Sequence, residues 1–283
     1  MMGWQHLMCV VVVLTLTGIV GQDLDYDDPS LLIQNNINSG NNPAVLADWE
    51  ERCRTDVGED ALNDIKESIT NFTICVQRLV KWNKLQHEIN RSIPRGELDL
   101  VFKKYCGRRK RLTTCLEDVY TKLQRCMNDQ EKQDLNITRK AIDAGIDFVC
   151  HDDGDRIALF MAENGEECVT SQKDNISACV TEKISEIKDA KQGFQDLSLA
   201  VFTINEDNCK KANVIHQCIV EYTEKCEDPT PSNILNSLIE QVLKVTPCWQ
   251  TSSAPTLLSY NSYLLPHLLT LVAAALTAAN ILL

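Results

Sequence analysis

No aspartate, glutamate, lysine or arginine occurs before Asp23 or after Lys244, although the chain carries 40 acidic and 28 basic residues. That absence excludes both ends from the charged surface of a folded domain and marks them as membrane-directed segments. Other absences narrow the chemistry. The chain contains no Cys-x2-Cys pair and only 5 histidines, which argues against a structural zinc site and leads us to expect no metal or other cofactor. It has no Gly-x-Ser-x-Gly, no His-Glu-x-x-His and no phosphate-cradling glycine loop, so no enzymatic class is indicated. Aromatic residues make up 6% and the net charge is −12, which speaks against nucleic acid as a partner. Proline and glycine are sparse, at 8 and 11 residues, and no alternating run leads into a hairpin turn. The one Asn-Gly pair, Asn164-Gly165, reads as a helix stop.

The apolar ends have different readings. Leu7 to Leu16 forms the core of a secretory signal peptide over residues 1–21, with Gly18 to Gly21 as the cleavage zone. At the other end, Ser252-Ser253-Ala254 supply small residues, Pro255 to Tyr263 a polar spacer and Leu264 to Leu283 an apolar tail. This order is that of a lipid-anchor attachment signal, with Ser252 as the attachment residue. Pro266 and His267 shorten the uninterrupted apolar run and no basic residue follows it, unlike a stop-transfer helix. The expected location is therefore extracellular, either at the outer face of the plasma membrane or secreted.

Between the ends the chain has what small exported proteins use to hold themselves together. Setting aside Cys9 in the signal peptide, the cysteines are Cys53, Cys75, Cys106, Cys115, Cys126, Cys150, Cys168, Cys179, Cys209, Cys218, Cys226 and Cys248. An even set in an oxidising compartment predicts disulfides throughout and no reactive thiol. Cys75, Cys106, Cys115, Cys126 and Cys150 map in order onto Cys179, Cys209, Cys218, Cys226 and Cys248 at nearly constant offset. Asn71-Phe72-Thr73-Ile74-Cys75-Val76 parallels Asn175-Ile176-Ser177-Ala178-Cys179-Val180, and both Cys115 and Cys218 lead into a Tyr-Thr pair. The pattern predicts an internal duplication. Cys53 and Cys168 stand at unequal distances from the next cysteine, which leaves a Cys150–Cys168 bond across the junction open.

Periodicity gives the fold class. Leu62, Ile65, Ile69, Phe72, Val76 and Leu79 recur every three or four residues, as do Ile176, Val180, Ile184 and Ile187. Ser232 is placed to cap a helix carrying Ile234, Leu235, Leu238, Ile239, Val242 and Leu243. The expectation is an all-α protein of two related, disulfide-bonded helical halves. Its parts are a signal peptide at 1–21, an acidic flexible arm at 22–48, a first cysteine-rich half at 49–150 and a second at 151–248. A linker and attachment region at 249–263 and the tail at 264–283 complete the chain. N-glycosylation is expected at Asn71, Asn90, Asn136 and Asn175, each in an Asn-x-Ser/Thr acceptor.

Two polar clusters remain. Cys150-His151-Asp152-Asp153-Gly154-Asp155 is read as a turn at Gly154 with Asp155 capping the next helix, rather than as a cation site. Arg108-Arg109-Lys110-Arg111, near Lys103 and Lys104, is a concentrated basic run in an acidic chain, taken as a solvated loop. It is a candidate site for an anionic glycan and also fits the Arg-x-Lys/Arg-Arg pattern of processing proteases.

Lys103-Lys104-Tyr105-Cys106, Gly154-Asp155-Arg156-Ile157-Ala158-Leu159-Phe160-Met161-Ala162-Glu163, Cys168 and Cys226-Glu227-Asp228-Pro229-Thr230-Pro231 resemble the insect 27 kDa hemolymph glycoprotein family. The resemblance runs from about Cys53 to Cys248. It implies a secreted, disulfide-rich haemolymph glycoprotein and carries no shared activity or ligand; the tail after Cys248 is an addition. The functional expectation is thus a lipid-anchored surface protein that binds an extracellular protein. The alternative is a soluble haemolymph glycoprotein carrying a small or lipophilic ligand.

Overall fold

The predicted stripes fold as helices. The computed structural model describes residues 44–185, 187 and 204–249. The signal peptide, most of the acidic arm, Ser252 and the apolar tail lie outside the described residues. Among those described are ten α-helices and no strand. They are α1 (Ala44–Asp56), α2 (Glu59–Leu79), α3 (Trp82–Ser92), α4 (Leu98–Cys106), α5 (Arg109–Leu123), α6 (Asp129–Val149), α7 (Asp155–Ala162), α8 (Gly165–Ser185), α9 (Glu206–Thr223) and α10 (Thr230–Lys244). Short 3-10 turns occupy Ile93–Arg95, Gln124–Cys126 and His151–Gly154. Three of the helix boundaries have a visible local cause. Gly58, before α2, has φ 117°, and Asn164, between α7 and α8, has φ 54°, a left-handed conformation that asparagine tolerates. Asn128 caps α6 through a reciprocal pair with Glu131: its side chain accepts from the Glu131 N–H at 2.9 Å, and its own N–H donates to the Glu131 carboxylate at 2.8 Å.

All twelve cysteines of the body pair. Cys53–Cys126, Cys75–Cys115 and Cys106–Cys150 staple the first half; Cys168–Cys226, Cys179–Cys218 and Cys209–Cys248 staple the second. The two sets share one connectivity, and no bond crosses the junction. Cys150 instead closes on Cys106, which leaves Cys168 to Cys226. The helices differ beneath this shared scheme. Cys53 and Cys75 sit on separate helices, α1 and α2, whereas Cys168 and Cys179 share α8. Cys106 and Cys115 sit on α4 and α5, whereas Cys209 and Cys218 share α9.

The α2 stripe is buried as predicted, with Leu62 and Ile65 in one cluster and Phe72 against Leu116, Tyr120 and Leu135 in another. α2 packs most extensively on α5, and α8 on α9. The two halves meet where α6 lies along α10, and Gln241 donates to the Ala144 carbonyl at 3.1 Å. α7 follows the junction in sequence but buries Ile157, Ala158, Phe160 and Met161 against Leu85 and Ile89 of α3 and Leu98, Val101 and Phe102 of α4. Its main core is therefore with the first half, and Val169 of α8 and Ile234 and Leu235 of α10 pack on the same cluster from the second. Gly154 admits this approach, since a Cβ there would lie 2.6 Å from the Phe102 Cβ.

Three local readings are corrected. Ser232 lies inside the first turn of α10, where Thr230 begins the helix; it is buried, and its hydroxyl meets that of Thr223 at 2.9 Å instead of capping. Asp155 is the first residue of α7, preceded by Gly154 with no side-chain cap. The basic run is not a loop: Arg109 to Arg111 form the first turn of α5. No helix among the described residues is long and apolar enough to cross a membrane.

Candidate functional site

The basic run enters a site once it is placed on a helix. Arg109 and Lys110, then Thr113, Leu116 and Tyr120, recur at helical spacing and line one face of α5. Arg139, Asp143, Ile146 and Asp147 do the same on α6. α5 is drawn onto α2 by Phe72, Leu116 and the Cys75–Cys115 bond, and α6 is held along α10. The two helices thus touch sparingly, and a groove of about 390 Å³ lies between their facing residues.

The groove mixes both charges. Arg109 reaches across to Asp147 at 3.2 Å. Arg139 holds Glu117 at 2.6 Å and sits over the Tyr120 ring, 5.6 Å from its centroid. These pairs are about half exposed, so each is worth roughly 0–1 kcal/mol and opens at little cost. Among the described residues, the Lys110 ammonium and the Asp143 carboxylate have no ion pair. Burial raises the Asp143 carboxyl above its ordinary value; Arg139 opposes the rise, and Asp147 and Glu117 add to it. Tyr120 is 6% exposed, and its hydroxyl is buried without a hydrogen-bond partner among the described residues. Burial pushes this phenol well above its usual range, and Asp143 adds to the effect.

The other singled-out residues are dispersed. Arg108 donates to the Leu79 carbonyl and lies over the Tyr105 ring at 5.0 Å, so it turns away from the groove. Arg111 is exposed and does not line it. The four cations do not present one face, because successive residues diverge around a helix. His151 pairs with Asp152 at 3.0 Å and Lys103 with Asp153 at 2.7 Å; no group of three metal-ligating side chains occurs among the described residues. Asn71, Asn90, Asn136 and Asn175 are all exposed, on α2, α3, α6 and α8. An apolar crevice lined by Phe148, Ile157, Phe160 and Leu238 has a volume of about 20 Å³, scarcely more than one water needs. Sequence reasoning found the basic run but missed Tyr120, Arg139, Asp143 and Asp147. The available signal was their helical spacing, which is indistinguishable from that of any amphipathic surface.

An all-helical body closed by six disulfides defines a protein of the oxidising, extracellular space. The chain belongs to the insect 27 kDa hemolymph glycoprotein family: residues 42–248 match a family model described as a protein of unknown function, DUF1397. It is 32% identical over 249 residues to the 27 kDa hemolymph glycoprotein of Manduca sexta, covering 87% of this chain and 96% of that one. It is 34% identical over 204 residues to the 27 kDa glycoprotein of Bombyx mori, covering 72% and 87%. With the 27 kDa hemolymph protein of Galleria mellonella the identity is 34% over 197 residues, covering 70% and 80%. No solved structure matches the chain. The protein is extracellular, as its haemolymph relatives are.

Proposed function

We propose that the chain is a soluble extracellular glycoprotein that holds a small polar ligand in the α5–α6 groove and performs no covalent chemistry. The observation that carries this reading is the buried, unpartnered Tyr120 hydroxyl in a groove of about 390 Å³ that the unpaired Asp143 and Lys110 also line. That volume falls within the roughly 300–1,000 Å³ of small-molecule sites. For the expected small or lipophilic cargo, the polar lining of this groove, beside an apolar crevice of only about 20 Å³, supports a small polar one. Exposure of Asn71, Asn90, Asn136 and Asn175 supports N-glycans at all four. Expression in a secreting insect cell should yield the protein in the medium. Native mass spectrometry of that material should then find a polar small molecule that leaves on denaturation. A co-purifying lipid would overturn the reading.

A second reading rests on the uncharged tail after Lys244. In it the same body is tethered to the cell surface by a lipid attached at Ser252, facing an extracellular protein partner. Release of the protein from cells by a phosphatidylinositol-specific phospholipase, with no peptide beyond Ala254, would favour it. Recovery of full-length protein in the medium without such treatment would exclude it.

A further inference from the structure

The groove resembles neither a simple anion site nor a simple cation site. Lys110 offers an unpaired ammonium at one end, but Asp143 and Asp147 lie on the opposite helix and would repel a fully anionic ligand such as phosphate or a polyanion. Neutral hydrogen-bonding groups stand between them. The Thr113 hydroxyl donates to the Lys110 carbonyl at 3.0 Å and retains lone pairs that accept. The Tyr120 hydroxyl, more than nine-tenths buried, has its hydrogen-bonding capacity unused among the described residues. The Tyr120 ring lies beneath Arg139, whose half-exposed pair with Glu117 yields readily. Leu116 and Ile146 add apolar contact surface. A ligand that fits has several hydroxyls to donate to carboxylates, apolar C–H faces and a single acidic group.

Building on the reading of the chain as a binder of small polar molecules, we infer that the groove takes a short anionic saccharide of at least two rings bearing one carboxylate or sulfate, since Lys110 and Tyr120 stand about 15 Å apart along α5. Lys110 receives the acidic group, Asp143 and Thr113 accept or share ring hydroxyls, and the Tyr120 hydroxyl completes its hydrogen bonding on the sugar once Arg139 swings aside. The basic run contributes through Arg109 and Lys110 alone, and the neighbouring cations at Arg108 and Arg111 are not used.

The test is calorimetric titration of the secreted, full-length protein with a disaccharide bearing one glucuronate and with a monosulfated disaccharide, set against glucose, inorganic sulfate and glycine. The sugar acids should bind, glucose more weakly, and sulfate and glycine not measurably. Lys110→Gln should weaken the sugar acids about tenfold and leave glucose unchanged, as loss of one hydrogen bond to a charged group implies. Tyr120→Phe should weaken acidic and neutral sugars alike, while Arg111→Gln should change neither. Sulfate binding as tightly as the sulfated sugar would overturn the saccharide assignment, as would equal losses in Lys110→Gln and Arg111→Gln. Glycine binding that falls in both Lys110→Gln and Tyr120→Phe would overturn the saccharide class yet keep the groove as a polar ligand site. Unchanged binding of every probe in both variants would overturn the groove itself.

Discussion

In the first half the chain between Cys53 and Cys75 breaks at Gly58 into α1 and α2, and the chain between Cys106 and Cys115 breaks at Gly107 into α4 and α5. In the second half the corresponding cysteines ride on two unbroken helices, α8 and α9. The third helices also behave differently. α9 packs along α10, with His216 and Asn236 in hydrogen-bond contact at 2.6 Å and Thr223 against Ser232, whereas α5 meets α6 over a shorter stretch, where Leu116 and Tyr120 pack with Leu135 and Ile142. The same bond scheme therefore holds a closed three-helix unit on one side and an opened one on the other. Disulfides fix a few points on each helix, and the breaks decide how the segments between those points lean. Of the three buried side-chain groups without a hydrogen-bond partner among the described residues, on Trp49, Trp82 and Tyr120, only the Tyr120 hydroxyl lies on the opened side's groove.

The largest way to break this comparison is to remove one bond from each half. Cys75–Cys115 and Cys179–Cys218 have sequence separations of 40 and 39, so their loop-closure contributions are the same. Cys179 and Cys218 are 6% and 0% exposed, whereas Cys75 and Cys115 are only partly buried. Replacing both members by serine should cost about 4 kcal/mol in the second half and about 1 kcal/mol less in the first, measured by denaturant unfolding. Equal losses would show that burial does not distinguish the halves.

Gly154→Ala tests the approach of α7 that is peculiar to the first half. With φ +99° and the Phe102 Cβ at 2.6 Å, the substitution should cost about 2–4 kcal/mol in the same assay. Gly58→Ala, with φ +117° but open space, should cost only about 1–2 kcal/mol. A smaller contrast compares the third helices. Asn128→Ala removes a reciprocal cap from α6 and should cost about 1 kcal/mol. α10 begins after Pro229 without a capping side chain of that position, so Pro229→Ala should cost less.

Two groove substitutions test whether the groove costs the first half stability. Tyr120→Phe should raise stability by up to about 1 kcal/mol, because it removes a buried hydroxyl with no partner among the described residues. Asp143→Asn should have the smallest effect. Burial raises this carboxyl above its ordinary 3.8 in the face of Arg139, with Asp147 and Glu117 adding to the rise. The native state therefore binds the proton more tightly than the unfolded chain, and the contribution to stability is present below 3.8 and lost as pH rises through the folded value. The variant should abolish that part of the pH dependence and gain a few tenths of a kcal/mol near neutrality, the exposure of the group limiting the gain. Thermal unfolding at pH 4 and pH 7 checks both the sign and the size.

Much of this was legible in the residues themselves. The stripe from Leu62 to Leu79 dictates a helix with one buried face, because burying those side chains together requires that periodicity. The ordered cysteine spacings foretold paired sets, since an oxidising compartment leaves few thiols free. Connectivity was not legible: a helix break at Gly58 lies between Cys53 and Cys75 and none between Cys168 and Cys179, and linear distance cannot separate that difference from a different bond. The placement of α7 in the first half was also hidden, because Ile157, Phe160 and Met161 suit any apolar surface and only packing selects α3 and α4. So was the groove. Arg109 and Lys110 were conspicuous as charge, but their neighbours Tyr120, Asp143 and Asp147 come from another turn and another helix. Local periodicity and redox chemistry act along the chain and can be read there, whereas a groove between two helices depends on what each packs against.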